Sequence, residues 1–295
     1  MPFHWIGKSE DQLTVTLKHL DTLSFPIPAY ATPQWVEQNQ DLVKVAAIVD
    51  CETTGLNHSE EEIIEIGIQL FQYNKASGEI LTLLDSYNEF QEPLRPLRPE
   101  ITLITGITDQ MLAGKKIDWN KVDSLFDKAQ IIIAHNARFD RPFIETRSKI
   151  SPQKVWGCSI KQIDWLKRGY TSSKLELLSI YHGFFTDAHR AIHDARALLY
   201  VLGQTDTLNP KATYLLELLN EAKKPLTHMI AISSPFESKD MLKNRGYSWD
   251  VQNRFWSKVI LKDHSQQEIQ WLEENVYLGP FRGISRDIPL TGSFK

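Results

Sequence analysis

Cysteine is scarce in this 295-residue chain: Cys51 and Cys158 are the whole supply. Two thiols cannot build a disulfide framework, and their scarcity fits a reducing compartment. Long apolar runs are lacking too. No stretch approaches the ~20 residues needed to cross a bilayer, and the opening Met-Pro-Phe-His-Trp has no basic region followed by an apolar one. A cytoplasmic protein without membrane contact is therefore expected. Surplus positive charge is also missing, with a net charge of −4 and a pI of about 6.2. That argues against a protein that coats nucleic acid by bulk electrostatics. It leaves room for one that grips a strand end through metal ions and a few local cations.

The hydrophobic and charged fractions, 42% and 24%, are ordinary for a globular protein. The length exceeds what one core usually organises, so a main domain with a smaller module is expected. Changes of pattern divide the chain into an N-terminal extension (1–41), a main domain (42–207), a connecting helix or linker (208–226), a small α+β module (227–278) and a tail (279–295).

The chemistry gathers at Val45-Ala-Ala-Ile-Val-Asp50-Cys-Glu52-Thr-Thr-Gly55. A β-branched apolar run closed by a Thr-Thr-Gly turn spells a buried central strand. Side chains alternate along a strand, so Asp50 and Glu52 share a face while Cys51 points away. Two carboxylates at the end of a buried strand repel each other, and a hard divalent cation relieves that repulsion.

Ahead of this strand, residues 11–23 have helical spacing and residues 25–33 read as an extended connector. After it, residues 57–62 read as a solvated loop. Residues 63–73 and 79–87 read as two further strands of an antiparallel meander, with Glu65 facing solvent. Thr108 is the expected N-cap of a turn at 109–112, and 120–128 is an amphipathic helix. A second short buried strand at 130–135 leads through Asn136 into a helix from Asp140 to about Lys149, which puts Asp140 near a helix N-terminus beside a strand end. More helix is expected at 160–168, 175–181, most of 187–202 and 212–223. Beyond it, a strand, a helix stopped by Gly246, a hairpin turning at 251–254 and a helix at 265–276 make a βαββα unit, with an irregular tail from Gly279.

Positions five apart on a helix differ by roughly 140° and do not share a face. If His189 and Asp194 serve one site, His189 lies in the loop entering the helix, with Asp194 in its second turn. A rival reading pairs His189 with His193 as zinc ligands, but Arg190 stands where an H-E-x-x-H site needs Glu. Asp50, Glu52, Asp140 and Asp194 all have contexts that can converge. Four such carboxylates can hold two Mg²⁺ or Mn²⁺ ions about 3.5–4 Å apart across a phosphodiester. His189 supplies a base of the type that titrates near neutrality.

Three blocks occur in this order: Val49-Asp50-Cys-Glu52-Thr-Thr-Gly55, His135-Asn136-Ala-Arg-Phe139-Asp140 and His189-Arg-Ala-Ile-His-Asp194. With Thr105-Gly106-Ile107-Thr108 between them, they resemble the DnaQ-like, DEDDh-type 3′→5′ exonucleases over roughly residues 42–205. The resemblance implies an α/β, ribonuclease H-like fold: a mixed five-stranded sheet flanked by helices, beside the small C-terminal α+β module. It implies that Asp50, Glu52, Asp140 and Asp194 are metal ligands and His189 the general base, these five making up the catalytic set. Thr53, Thr54 and Gly55 would approach the terminal nucleotide with backbone groups. Leu56 would lie against its base, and Asn136 and Phe139 would shape the pocket.

The implied activity is stepwise hydrolysis of nucleic acid from its 3′ end to nucleoside 5′-monophosphates. Single-stranded DNA is the favoured substrate, and a DNA polymerase is a possible partner. Thr105 stands where some proofreading members carry His, so RNA 3′-end trimming by the same chemistry stays open. A nucleic-acid-binding or polymerase-associated module without important turnover is the competitor from another class, disfavoured by the intact acidic and base positions. In the C-terminal unit, Tyr247, Trp249, Phe255 and Trp256 among Lys243, Arg245 and Arg254 read first as the core of a small module and second as a stacking platform for single strands.

Overall fold

The computed structural model describes residues 14–187 and 189–295. The chain forms two compact units, one reaching to Ala222 and taking in Phe294–Lys295, the other spanning Lys223–Ser293. In the first unit, β1 (Lys18–His19) and α1 (Pro33–Gln38) precede the strands β2 (Val43–Thr53), β3 (Ile63–Asn74) and β4 (Ile80–Phe90). Next come α2 (Pro99–Thr105), α3 (Asp109–Leu112), α4 (Trp119–Lys128), β5 (Ile131–Ala134), α5 (Ala137–Glu145) and β6 (Val155–Cys158). The unit closes with α6 (Ser159–Gln162), α7 (Leu175–Tyr181), β7 (Phe184–Phe185), α8 (Ala191–Leu202), β8 (Thr205–Asp206), β9 (Asn209–Thr213) and α9 (Tyr214–Ala222).

The main sheet has the order β4-β3-β2-β5-β6. The meander β2–β3–β4 is antiparallel, and β5 and β6 run parallel to β2. This is the mixed five-stranded sheet expected from the sequence. The stretch of β2 from Val45 to Val49 is wholly apolar because both faces of the strand are covered there. Ala46 and Ile48 meet Leu198, Leu199 and Leu202 of α8 and Leu215 and Leu218 of α9 in one core. Ala47, Val49 and Cys51 meet Val122 and Phe126 of α4 and Phe143 and Ile144 of α5 in the other. Local capping agrees with this layout. The Thr108 hydroxyl accepts from Met111 N–H at the start of α3, and the Asp118 carboxylate accepts from Asn120 and Lys121 N–H at the start of α4.

Four local expectations are corrected. Of residues 11–23, those before Thr14 lie outside the described residues, and the rest form no α-helix: Lys18–His19 pairs in parallel with Phe184–Phe185, and Leu20–Thr22 is a 3₁₀ turn. Strand pairing there wins over helical spacing. The helix expected at 160–168 lasts one turn, because Ile163 and Trp165 are both buried two positions apart and the Trp165 indole donates to Ser159 O at 2.9 Å. An unforeseen hairpin, β8–β9, closes over Asp206, whose buried carboxylate takes Arg168 Nη2 at 2.6 Å. The fourth correction concerns the tail, which contributes a strand to the second unit. The helix read as a connector, α9, packs Tyr214, Leu215, Leu218 and Leu219 into the first unit's core.

The second unit comprises β10 (Leu226–Ala231), α10 (Lys239–Asn244), β11 (Ser248–Asp250), β12 (Phe255–Leu261), α11 (Ser265–Leu272) and β13 (Ile284–Ile288). Its antiparallel sheet has the order β11-β12-β10-β13. Met229, Ala231, Leu242, Tyr247 and Leu272 form its core, with Trp256 packed against them. The Trp249 ring lies 5.6 Å from that of Trp256 and is partly exposed. Arg245 stands 4.7 Å over the Trp271 ring while its guanidinium pairs with Glu268.

Candidate active site

Asp50 and Glu52 continue the face of β2 that looks towards α8, and both are half-buried. Across the ladder they stand opposite Gly67 and Glu65 of β3. Gly67 admits the helix. A Cβ there would lie 2.2 Å from the Ile192 nitrogen and 2.3 Å from the Ala191 carbonyl carbon, so the first turn of α8 rests on bare strand backbone. That seating delivers Asp194, which lies in the first turn of α8 rather than the second. Gly67→Ala is therefore expected to cost about 1–3 kcal/mol of stability by overpacking, with a fall of several degrees in Tm and slower turnover, since the helix must lift. Thermal unfolding alongside a turnover assay checks both, and a wild-type Tm would show that the seat has slack.

His189 is in the loop leading into α8, exposed, with a left-handed backbone (φ 63°). Its own N–H donates to Asp194 Oδ2 at 3.0 Å, so base and carboxylate are tied within one turn. Glu52, His189 and Asp194 each offer one ligand atom, all within 4.8 Å of one another. Among the described residues His193 is not in that group; its Nδ1 stands 4.0 Å from Asp187 Oδ2. Asp140 arrives from a third element. It sits in the first turn of α5, is 3% exposed, and accepts from Cys51 N–H at 3.1 Å, which ties α5 to β2.

These carboxylates disturb one another. Burial first, then the charges of Asp140, Asp194 and Glu52, hold Asp50 well above the usual carboxylate range. Burial and then the Asp194 charge push Glu52 up to about 8. Burial pushes Asp140 to about 7 and Asp194 to about 6, in the latter case against the lowering effect of the His189 N–H. Four acids that resist joint ionisation near neutrality, all with oxygen donors, suit hard divalent cations.

The residues expected at the substrate lie on the Thr-Thr-Gly turn that ends β2 and at the start of α5. The Thr53 hydroxyl donates to Gly55 O at 2.6 Å. Thr54 Oγ1 donates to Glu61 Oε2 and accepts from Glu62 N–H. Arg98 donates to Thr54 O and pairs with Glu61 at 2.9 Å, so Gly55 is buried beneath Arg98 and Glu61. The loop read as merely solvated is thus bonded to the Thr-Thr-Gly turn. Leu56 is 86% exposed and Asn136 exposed, whereas Phe139 is half-buried, its ring 5.1 Å from that of Phe143.

Glu65 needs a correction. It does not face solvent: it is fully buried, and Arg190 pairs with it at 3.2 Å. For Glu65 the signal available in the sequence is a charged residue inside an apolar strand, whereas nothing in the pattern marks Arg190 as its partner or Gly67 as the seat of a helix.

Residues 47–202, over half of the chain, match the family described as Exonuclease (RNase_T). The epsilon subunit of DNA polymerase III from Treponema pallidum is 31% identical over 174 residues, which are 56% of this chain and 77% of that one. A PolC-type DNA polymerase III from Caldanaerobacter subterraneus is 30% identical over 156 residues, 51% of this chain but only 11% of that protein's length. Exonuclease I of E. coli, solved in complex with single-stranded DNA, superposes with a TM-score of 0.51 at 15% identity over 79% of this chain and 71% of that one. The fold is the one seen in exonuclease I. The chain belongs to the DnaQ-like exonuclease family.

Proposed function

We propose that this chain removes nucleoside 5′-monophosphates one at a time from the 3′ end of single-stranded DNA. The observation that carries the reading is the convergence of Glu52, His189 and Asp194 within 4.8 Å, with Asp50 beside Glu52 on β2 and Asp140 bonded to the backbone between them. Asp50, Glu52, Asp140 and Asp194 would hold two divalent ions, Mg²⁺ or Mn²⁺. Bound there, the ions would neutralise the carboxylates and stabilise the charge that develops on the scissile phosphate.

His189 accepts the proton of the attacking water as the water oxygen bonds to phosphorus. The bond from phosphorus to the O3′ of the preceding nucleotide breaks, and that oxygen becomes the new 3′ hydroxyl after taking a proton from solvent. The hydrogen bond from the backbone N–H of His189 to Asp194 ties the loop that carries the base to a carboxylate. Leu56 and Asn136, both exposed, would meet the terminal nucleotide, and half-buried Phe139 and the Thr53-Thr54-Gly55 backbone would help to shape its pocket. The names of the relatives favour DNA over RNA, and association with a DNA polymerase is part of the same reading.

The test is degradation of single-stranded DNA, duplex DNA and RNA, each labelled at the 3′ or the 5′ end, with Mg²⁺, Mn²⁺ or EDTA. Labelled mononucleotide should leave the 3′-labelled single strand first, and only with a divalent ion. Release from the 5′ end, or equal rates in EDTA, would overturn the assignment; faster loss from RNA would overturn the substrate.

A further inference from the structure

Glu65 lies in β3 between Ile64 and Ile66, with no exposed surface. A carboxylate is costly to bury unless every lone pair is engaged. Here it is engaged by the residue that follows the candidate base. Arg190 Nε reaches Oε1 and Oε2 at 3.3 Å each, and Arg190 Nη2 reaches Oε1 at 3.2 Å. The Ala191 N–H, the first of α8, donates to Oε2 at 3.3 Å. No side chain of the helix's own N-cap residue caps it, so Glu65 supplies the cap from a neighbouring strand.

The setting is a row across three strands. Glu65 pairs in register with Glu52 on one side and with Phe90 on the other, and the Arg190 guanidinium lies 5.3 Å over the Phe90 ring. Two positions along β3, on the same face, Gly67 seats the next residues of the same helical turn. The start of α8 is thus gripped at two adjacent points of one strand, and His189 and Asp194 flank the gripped residues.

We propose that Glu65 and Arg190 are positioning residues of the phosphodiester-cleaving site, a strand-to-helix clamp that aims His189 and Asp194 at Glu52. This inference rests on the exonuclease reading above. Neither residue touches the reacting atoms; each acts through the geometry of the two that do, where a misplacement of about 1 Å can cost ~10²-fold in rate. The planar fork of Arg190 matters more than its charge, because Nε and Nη2 share one carboxylate while the flat face covers Phe90.

The experiment compares Arg190→Lys, Arg190→Gln and Glu65→Gln with wild type in the presence of Mg²⁺. Arg190 is partly exposed, so its variants should fold even if Glu65→Gln does not. Both Arg190 variants are expected to lose roughly 10- to 100-fold in kcat, with KM for an oligonucleotide within about twofold. In the metal-free protein, hydrogen exchange across residues 189–194 should speed up while that of β2 and β5 stays unchanged. If Arg190→Lys keeps wild-type kcat, or if all variants raise KM and leave kcat and the exchange of 189–194 alone, the clamp is wrong even though the exonuclease reading stands. If wild type itself is inactive on every 3′ end, the exonuclease reading has failed, and the exchange result alone judges the clamp.

Discussion

Asp50→Ala and Asp194→Ala are expected to lower turnover by roughly several orders of magnitude, because charge stabilisation at the phosphate goes with the carboxylates. The same variants should stay folded and, in EDTA, resist heat better than wild type. In the folded protein Glu52 sits near 8, Asp140 near 7 and Asp194 near 6. In the unfolded chain such groups titrate near 4. Between those limits the folded state keeps protons that the unfolded state has released, so the stability of the metal-free protein falls as pH rises from about 4 to about 8. Taking away one carboxylate removes part of that repulsion, and the gain in Tm should be larger at pH 8 than at pH 5, by about 2–4 °C for each kcal/mol relieved. Thermal scans in EDTA at the two pH values, with and without added Mg²⁺, measure it. Full turnover in either variant would take these carboxylates out of the reaction.

The second large effect is expected at His189. His189→Ala should lose about 10²–10⁴ in kcat, the share of the rate that general-base assistance supplies. His193→Ala is the control on the same short segment. Its ring contributes no atom to the Glu52–His189–Asp194 group, and the loss should be small. A larger loss at His193 than at His189 would reverse the assignment of the base.

The three blocks could be read in advance because each is a local pattern. Alternation along one strand puts Asp50 and Glu52 together, a strand-to-helix junction presents Asp140, and the geometry of five residues places His189 ahead of the helix that carries Asp194. What escaped the sequence were meetings between distant segments. Glu65 looks like a solvent-facing residue until Arg190 arrives from 125 positions away. Gly67 looks like a weak point in a strand until the backbone of α8 lands on it. β13 was missed for another reason: it lies at a sheet edge, where Ser285, Arg286 and Asp287 between two isoleucines dilute the apolar signal.

The pairing of β1 with β7 also bears on when the site becomes complete. Lys18 N–H donates to Gly183 O at 3.0 Å, and Lys18–His19 then runs beside Phe184–Phe185, only a few residues ahead of His189. Two residue pairs cannot by themselves offset the entropy of closing a loop that encloses nearly the whole catalytic sheet. The pairing is therefore expected to form after that sheet, as one of the last long-range contacts of the first unit.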